Sequence, residues 1–156
     1  MKRYHWFVIP LALLLVFGIS PAPAMPQPPA RAYFDVNLGL ADKLETRLML
    51  INSTFDQLSA QGMAPQFVVG FRGQASFFVT KGDGYVAAAD LAAKKKIRHW
   101  LRIFTDKGIR LEQCLIAAAM LGINNDDFLT DLILIDNGYA AMVLYQNRGF
   151  ARIPMD

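Results

Sequence analysis

Cys114 is the only cysteine of the 156-residue chain, and its thiol is the side chain best suited here to nucleophilic chemistry. It closes a short alternating segment, residues 109–114, and an alanine-rich segment follows it. This pattern predicts a thiol at the carboxyl end of a strand. The helix N-terminus next to it would favour the thiolate through its partial positive charge. We therefore take Cys114 as the candidate catalytic residue.

Burial is the competing interpretation of Cys114, because free cysteine is among the residue types most often found in protein cores. The flanking Leu115 and Ile116 favour a core position. Strand alternation argues against complete burial, since Cys114 shares its side of the strand with Arg110 and Glu112. The sequence alone is compatible with both a reactive and a buried Cys114.

Two kinds of group are expected to stabilise a thiolate at this position. The backbone N–H groups of Leu115, Ile116 and Ala117 open the predicted helix and lack partners within it. Arg72 would add a positive charge if its side chain points inward. No carboxylate or histidine is adjacent to Cys114 in sequence to share its proton.

The sequence lacks the residues that other kinds of thiol chemistry need. His99, the one histidine beyond residue 30, lies beside Trp100 in a predicted helix, which is typical of a surface histidine rather than a base. A single cysteine excludes an internal disulfide and leaves a C-x-x-C redox centre without its second thiol. One histidine and one cysteine also cannot build a zinc site without several carboxylates. We expect no metal and no cofactor.

The elements that must position the thiol follow from apolar spacing. Strands are predicted at residues 33–38, 67–71, 109–114, 132–135 and 150–153. Helices are predicted between them, with Asp42 and Glu45 as a capping box for the first and Asn137 or Asp136 as the cap of the last. This alternation indicates an α/β fold: a three-layer α/β/α sandwich around a mainly parallel five-stranded sheet.

In such a sheet the loops after the strands converge on one edge, where ligands bind. The residues expected there are Asn37, Gly39, Arg72, Gly73, Cys114, Asp136 and Asn137. Of these, we predict that Asn37, Arg72, Gly73 and Asn137 form the binding surface around the thiol.

The first 24 residues are typical of a secretory signal peptide. Lys2 and Arg3 form a basic start, residues 7–19 are mostly apolar, and Ala22-Pro23-Ala24 is an A-x-A cleavage site. The apolar run falls short of the roughly 20 residues of a membrane span, which argues against an uncleaved anchor. We expect cleavage near Ala24, export to the periplasm, a proline-rich leader at residues 25–32 and a domain at residues 33–156.

The net charge argues against a nucleic-acid partner. The whole chain carries +3, but the predicted mature chain has 14 basic against 13 acidic residues, a charge of +1. The one basic run contains Lys94, Lys95, Lys96, Arg98 and Arg102. At helical spacing, we expect Lys94, Arg98 and Arg102 to form an exposed, solvated stripe rather than a binding patch.

The residues around the thiol also carry a resemblance. Gly-Ile-Arg-Leu-Glu-Gln-Cys at 108–114 and Ala-Ala-Ala-Met-Leu-Gly-Ile at 117–123 are similar to the DsrE/DsrF-like sulfur-relay proteins, and residues 34–37, 67–73 and 146–150 extend the likeness. The resemblance implies a persulfide-carrying cysteine and an oligomer. The chain departs from the family at Arg72, where related proteins often have histidine, and in its predicted export, since the better-known members resemble cytoplasmic carriers.

Two functions from different classes follow. The first is an exported sulfur carrier that acts through a persulfide on Cys114, with sulfur donor and acceptor proteins as partners. The second is a homo-oligomeric module for small-ligand binding or assembly, in which the cysteine is structural. A periplasmic thiol oxidoreductase is a weaker third hypothesis, because it would need an external resolving thiol.

Overall fold

Five parallel strands form a single sheet in the order β4-β3-β2-β1-β5. The computed structural model describes residues 29–156, so the predicted signal peptide and residues 25–28 of the predicted leader lie outside the described residues. The strands are β1 Arg31–Val36, β2 Gln66–Phe71, β3 Arg110–Cys114, β4 Ile133–Ile135 and β5 Ala151–Met155.

Helices cover both faces of the sheet, which confirms the predicted three-layer α/β/α sandwich. They are α1 Ala41–Ala60, α2 Leu91–Asp106, α3 Leu115–Met120 and α4 Gly138–Asn147, with 3-10 turns at Gly73–Val79, Ala88–Asp90 and Asn125–Asp127. Buried residues of α1, α2 and α3 belong to the main apolar core on one face. Met142 of α4 packs with Tyr33 and Val68 on the other face.

Strand alternation divides the side chains between these two faces. Phe34, Val69 and Leu111 join the main core with α1 and α2. The register pairs Asp35 with Gly70 and Gly70 with Glu112, so these residues lie on the face of α4. Short α4 is thus the cover of a face that contains buried charges.

The start of β1 and the start of α1 both differ from the prediction. β1 begins at Arg31, two residues before the predicted domain start. The expected capping box does not form, because α1 begins at Ala41 and its N-cap position, Leu40, offers no side-chain acceptor. Glu45 instead accepts a hydrogen bond from Trp100 Nε1 at 3.3 Å, which joins α1 to α2.

The cap predicted for the last helix is present. Asn137 Oδ1 accepts hydrogen bonds from the backbone N–H of Tyr139 at 2.9 Å and of Ala140 at 3.3 Å. Gly149, with a φ of 81°, follows the helix in the left-handed conformation that glycine tolerates best. Both ends of α4 are therefore defined by residues next to them in the sequence.

The predicted basic stripe is wrong at Lys94. Its side chain is 1% exposed, and its Nζ donates to Thr80 Oγ1 at 2.8 Å and to the carbonyl oxygen of Gly82. Burial, with the nearby charge of Arg98, lowers the pKa of Lys94. The lysine therefore holds the loop after the first 3-10 turn, and Lys95 takes its place on the exposed side.

No helix within residues 29–156 is both long enough and apolar enough to cross a membrane. The longest one, α1, alternates buried residues such as Leu44 and Leu48 with charged residues on its other side. This is the pattern of a helix that packs on a sheet with one face.

Candidate functional site

Cys114 ends β3, and α3 begins with the next residue, as predicted. The thiol forms part of the wall of a pocket of about 220 Å³. The residues around this pocket, called here the thiol pocket, are Arg72, Gly73, Cys114, Ile116, Ala117, Met120, Leu121, Asn137 and Tyr139. The structure therefore brings Arg72, Gly73 and Asn137 together with the cysteine.

Asn37 does not line the thiol pocket and lies behind Gly73. A Cβ placed on Gly73 would be 3.5 Å from the Cβ of Asn37 and 3.4 Å from its carbonyl oxygen. Gly73 also has a φ of 52°, which a larger side chain would resist. Asn37 thus supports the loop that forms the wall instead of contributing to the wall.

The donor to the sulfur comes from α4. The backbone N–H of Gly138, the first residue of that helix, donates to Cys114 Sγ at 3.2 Å. Of the donors predicted at the start of α3, the N–H of Ile116 turns away from the sulfur and donates to the carbonyl oxygen of Asp136 at 3.3 Å. The positive end of the ten-residue α4 therefore faces the thiol.

The topology explains why this helix reaches the sulfur. The chain leaves β3 toward the face of α1 and α2, whereas it leaves β4 toward the opposite face. Neighbouring strands whose connections diverge in this way open a crevice at their carboxyl ends. Cys114 and Asn137 lie on the two sides of that crevice.

Cys114 itself is 5% exposed, so the expectation that strand alternation keeps it from burial is wrong. A Cβ placed on Gly138 would be 3.2 Å from the cysteine Cβ and 3.5 Å from Sγ. The start of α4 thus lies directly on the thiol, and any residue larger than glycine would crowd the cysteine.

Arg72 lies on the wall of the thiol pocket, but it is ion-paired with Asp35. Its Nε and Nη2 donate to the two carboxylate oxygens of Asp35 at 2.6 and 3.0 Å. Its Nη1 donates to Tyr139 Oη at 3.2 Å, and the guanidinium lies 4.9 Å from the centre of that ring. The arginine is therefore fixed in place by three hydrogen bonds.

Asp35 also accepts a hydrogen bond from Arg152 at 2.6 Å, so two cations share one carboxylate. Burial of Asp35, which is 1% exposed, would by itself raise its pKa, but the hydrogen bonds from Arg72 and Arg152 outweigh burial and lower it. The hydrogen bond to Asp35 raises the pKa of Arg72. This ion cluster carries one excess positive charge beside the thiol pocket.

A second buried carboxylate, Glu112, lies two residues before Cys114 on the same side of β3. Its Oε1 accepts from Tyr145 Oη at 2.6 Å and from Arg110 Nε at 2.5 Å, while Oε2 is buried with no partner among the described residues. Burial and the bond to Glu112 raise the pKa of Tyr145 to about 12. Burial, with the charges of Glu112 and Asp35, also raises the pKa of Tyr33.

His99 does not contribute to this site. It is exposed on α2, and its ring lies 5.9 Å from that of its neighbour Trp100. Within residues 29–156, no group of three or more histidine, cysteine, aspartate or glutamate side chains has the geometry of a metal site.

Sequence reasoning missed Gly138, Tyr139 and Asp35. Gly138 carried a usable signal, since it directly follows the asparagine that was predicted to cap the last helix. Asp35 carried a weaker one, a carboxylate within an apolar predicted strand, which must be paired if it is buried. Tyr139 had no signal, because its contact with Arg72 joins residues 67 positions apart.

Comparison with known proteins supports the fold alone. No known protein family matches the sequence, and no curated protein is significantly similar to it. Among solved structures, the chain is similar to a protein of unknown function from Methanobacterium thermoautotrophicum. The TM-score is 0.57 at 20% sequence identity, over 80% of this chain and 97% of that one.

Proposed function

We propose that the protein is an exported sulfur carrier, similar to the DsrE/DsrF-like relay proteins, in which Cys114 accepts, holds and passes on sulfane sulfur. The observation that carries this proposal is the hydrogen bond from the Gly138 N–H to Cys114 Sγ at 3.2 Å. A sulfur atom at the positive end of a helix is stabilised as an anion. Both the thiolate and the persulfide anion that it forms benefit from that donor.

The transfer is a thiol–persulfide exchange. The Cys114 thiolate attacks the outer sulfur of a donor persulfide R–S–SH. The new bond joins Cys114 Sγ to that sulfur, the S–S bond of the donor breaks, and R–S⁻ leaves with the bonding electron pair. The products are Cys114–S–SH and R–S⁻, without net oxidation or reduction. An acceptor thiolate reverses the sequence.

The ion cluster supports this chemistry without taking part in bond formation. Arg72 lines the thiol pocket, and with Arg152 it leaves one positive charge in excess over Asp35. The neighbouring Ile116 and Met120 give the pocket an apolar side. An anion there is held by a fixed charge and partly shielded from water, which strengthens the interaction.

The surroundings of the thiol pocket favour protein partners over a diffusing substrate. Met120 is 83% exposed and Tyr139 63% exposed, and Ile116 of the same pocket wall is a further exposed apolar residue. Exposed apolar residues grouped around a reactive site are typical of a docking surface. We infer that donor and acceptor proteins dock there and bring their own cysteines to the pocket.

The test is to incubate the protein with glutathione persulfide and to measure its intact mass. We expect an adduct of about 32 Da, the mass of one sulfur atom, that dithiothreitol removes. Cys114→Ser should show no adduct, whereas the exposed-site control Ser53→Ala should behave like the wild type. Absence of the adduct from the wild type, or its presence in Cys114→Ser, would falsify the carrier function.

One observation favours the second function, a homo-oligomeric binding or assembly module. Cys114 is 5% exposed and the neighbouring Met120 is 83% exposed, an arrangement in which the thiol is core and the apolar surface contacts another subunit. In that case iodoacetamide labels Cys114 only after unfolding, and light scattering gives a multiple of the protomer mass. Rapid labelling of the folded protein supports the carrier.

Export remains part of the proposal and rests on residues 1–24. Expression of the full chain in a bacterium, followed by N-terminal sequencing of the periplasmic fraction, tests it. A mature N-terminus at Met25 supports export, and full-length protein confined to the cytoplasm contradicts it.

A further inference from the structure

A second pocket, of about 360 Å³, lies on the face of the sheet that α1 and α2 cover, between α2 and the segment that leads into β4. Its floor is made by leucines and its rim by charged side chains. The lining residues are Leu101, Leu111, Leu129 and Leu132, with Lys95, Arg98, Arg102 and Asp131. We call it the leucine pocket.

This pocket exists because β4 is short. β4 pairs only with residues 112–114 of β3, so Leu111, which pairs with Val69 of β2 on one side, has no strand on its other side. The segment before β4 closes the gap and is held by its backbone: the N–H of Leu129 donates to the carbonyl oxygen of Val79 at 3.1 Å, and the N–H of Leu132 donates to that of Leu129 at 3.2 Å. The apolar floor is therefore a preformed concave surface and not a flexible loop.

The rim is cationic. Lys95, Arg98 and Arg102 are spaced i, i+3 and i+7 on α2, which places them on one side of the helix, and Asp131 is the one carboxylate opposite them. Lys95 and Arg102 are exposed and form no salt bridge within residues 29–156. Two cations of the rim are thus free of ion pairs among the residues described and face the single carboxylate of Asp131.

Arg98 is fixed in advance. Its Nη2 donates to the carbonyl oxygens of Thr80, at 2.9 Å, and of Lys81, and lies 3.5 Å from Asp83 Oδ1. A guanidinium held in this way loses little conformational entropy when a ligand arrives. It marks one side of the mouth of the pocket, above the leucine floor.

We propose that the leucine pocket binds a small amphiphilic anion, a carboxylate or sulfonate that carries a medium-length chain or a ring. The chain or ring lies on the four leucines, and the anionic group lies between Lys95 and Arg102. The volume falls within the range of small-molecule pockets, of roughly 300 to 1,000 Å³. Leu101, Leu111 and Leu132 are buried in this concavity, so a free small molecule fits them better than a flat surface does.

The test is isothermal titration calorimetry with decanoate below its micellar concentration. We expect saturable binding of one decanoate per chain and no binding of decyltrimethylammonium, which has the same chain and the opposite charge. Lys95→Glu and Arg102→Glu should each weaken decanoate at least about tenfold, because each reverses a charge at the rim.

Lys96→Glu is the matched control. Lys96 is the neighbour of Lys95 on the same helix, but it lies outside the pocket, where its exposed side chain is 3.9 Å from that of the half-buried Glu45. Its substitution should leave the affinity for decanoate unchanged, and the melting temperatures of all variants should show that they fold. Cys114→Ser should also bind decanoate normally, which separates this site from the proposed sulfur carrier.

Three results would overturn the proposal. The first is the absence of saturable decanoate binding, and the second is equal binding of decanoate and decyltrimethylammonium. The third is an equal effect of Lys95→Glu and Lys96→Glu. Co-sedimentation with anionic phospholipid vesicles that Lys95→Glu abolishes, without decanoate binding, would assign the rim to a membrane surface instead.

Discussion

Gly138 donates its backbone N–H to Cys114 Sγ across 3.2 Å and thereby joins the first residue of α4 to the last residue of β3. The two residues are 24 positions apart and belong to elements on different sides of the crevice between β3 and β4. Glycine suits this contact, since a Cβ at position 138 would be 3.2 Å from the cysteine Cβ, a tight approach. It couples the thiol to the start of α4.

Gly138→Val is expected to push the start of α4 away from Cys114. The added methyl groups crowd the cysteine, so we expect a loss of stability of about 1–3 kcal/mol, typical of overpacking. Alkylation and persulfidation of the thiol should slow, because the displaced N–H of residue 138 no longer stabilises the thiolate. Urea unfolding and iodoacetamide kinetics measure the two effects. Gly82→Val is the control, because a Cβ at that position has no atom within 4 Å. Equal behaviour of the two variants would contradict the importance of the contact.

Asp35→Asn is expected to destabilise the protein at neutral pH, by about 2–3 kcal/mol, since it leaves Arg72 and Arg152 without their shared carboxylate. The pKa of Asp35 is lower in the folded protein than its ordinary value of 3.8. Its contribution is therefore present above pH 3.8 and is lost as the pH falls through the lowered pKa. Urea unfolding at pH 7 and at successively lower pH should show the difference from wild type shrinking with acid.

Asp106→Asn is the matched control for that experiment. Asp106 is exposed at the end of α2, and its side chain makes no salt bridge within residues 29–156. We expect its substitution to have no effect beyond about 0.5 kcal/mol. A pH-independent deficit in Asp35→Asn would mean that the lost shape of the side chain, and not its charge, matters.

Tyr145 is expected to ionise at a pH about two units higher than an ordinary tyrosine. Because its pKa rises from 10.0 to about 12 in the folded protein, its contribution to stability is complete below pH 10 and is lost as the pH rises through 12. Absorbance of tyrosinate during alkaline titration measures this. Glu112→Gln should shift that component to lower pH, because it removes the carboxylate that opposes ionisation. An unchanged titration would contradict the contact between the two side chains.

Gly70→Ala is expected to displace the ring of Tyr33. A Cβ on Gly70 would lie 1.8 Å from Tyr33 Oη and 2.4 Å from Cζ, so the ring must move away from the sheet, at a cost of about 1–3 kcal/mol. In a Tyr33→Ala background the same substitution should cost nearly nothing. The double-mutant cycle, followed by urea unfolding, therefore gives a large coupling energy. Additive effects would show that the clash is relieved elsewhere.

Much of the fold was predictable because its signals are local. Apolar runs such as residues 67–71 mark strands that are covered on both faces, and Asn137 marks a helix start through its own side chain. At Lys94 the local pattern gave a wrong prediction. Its spacing with Arg98 and Arg102 suited an exposed stripe, but the loop that returns over α2 buries it.

The candidate site was predictable only in outline. Parallel strands bring their carboxyl ends to one edge, so Arg72, Gly73 and Asn137 were expected near Cys114, and they line the same pocket. Asn37 lies behind that wall, against Gly73, whose backbone has a positive φ. The spacing of residues in the sequence does not show which residues at a sheet edge line a pocket and which lie behind its wall.

The sequence by itself determined that one thiol ends a strand of a parallel α/β sheet, because strand and helix periods and turn residues act over a few positions. Only the tertiary structure decided that the thiol is buried and that its donor is Gly138 of α4. The chain crosses the whole sheet between β4 and β5, and this long crossover places the start of α4 on Cys114. Such a contact depends on which face a distant helix occupies, and no short stretch of sequence contains that choice.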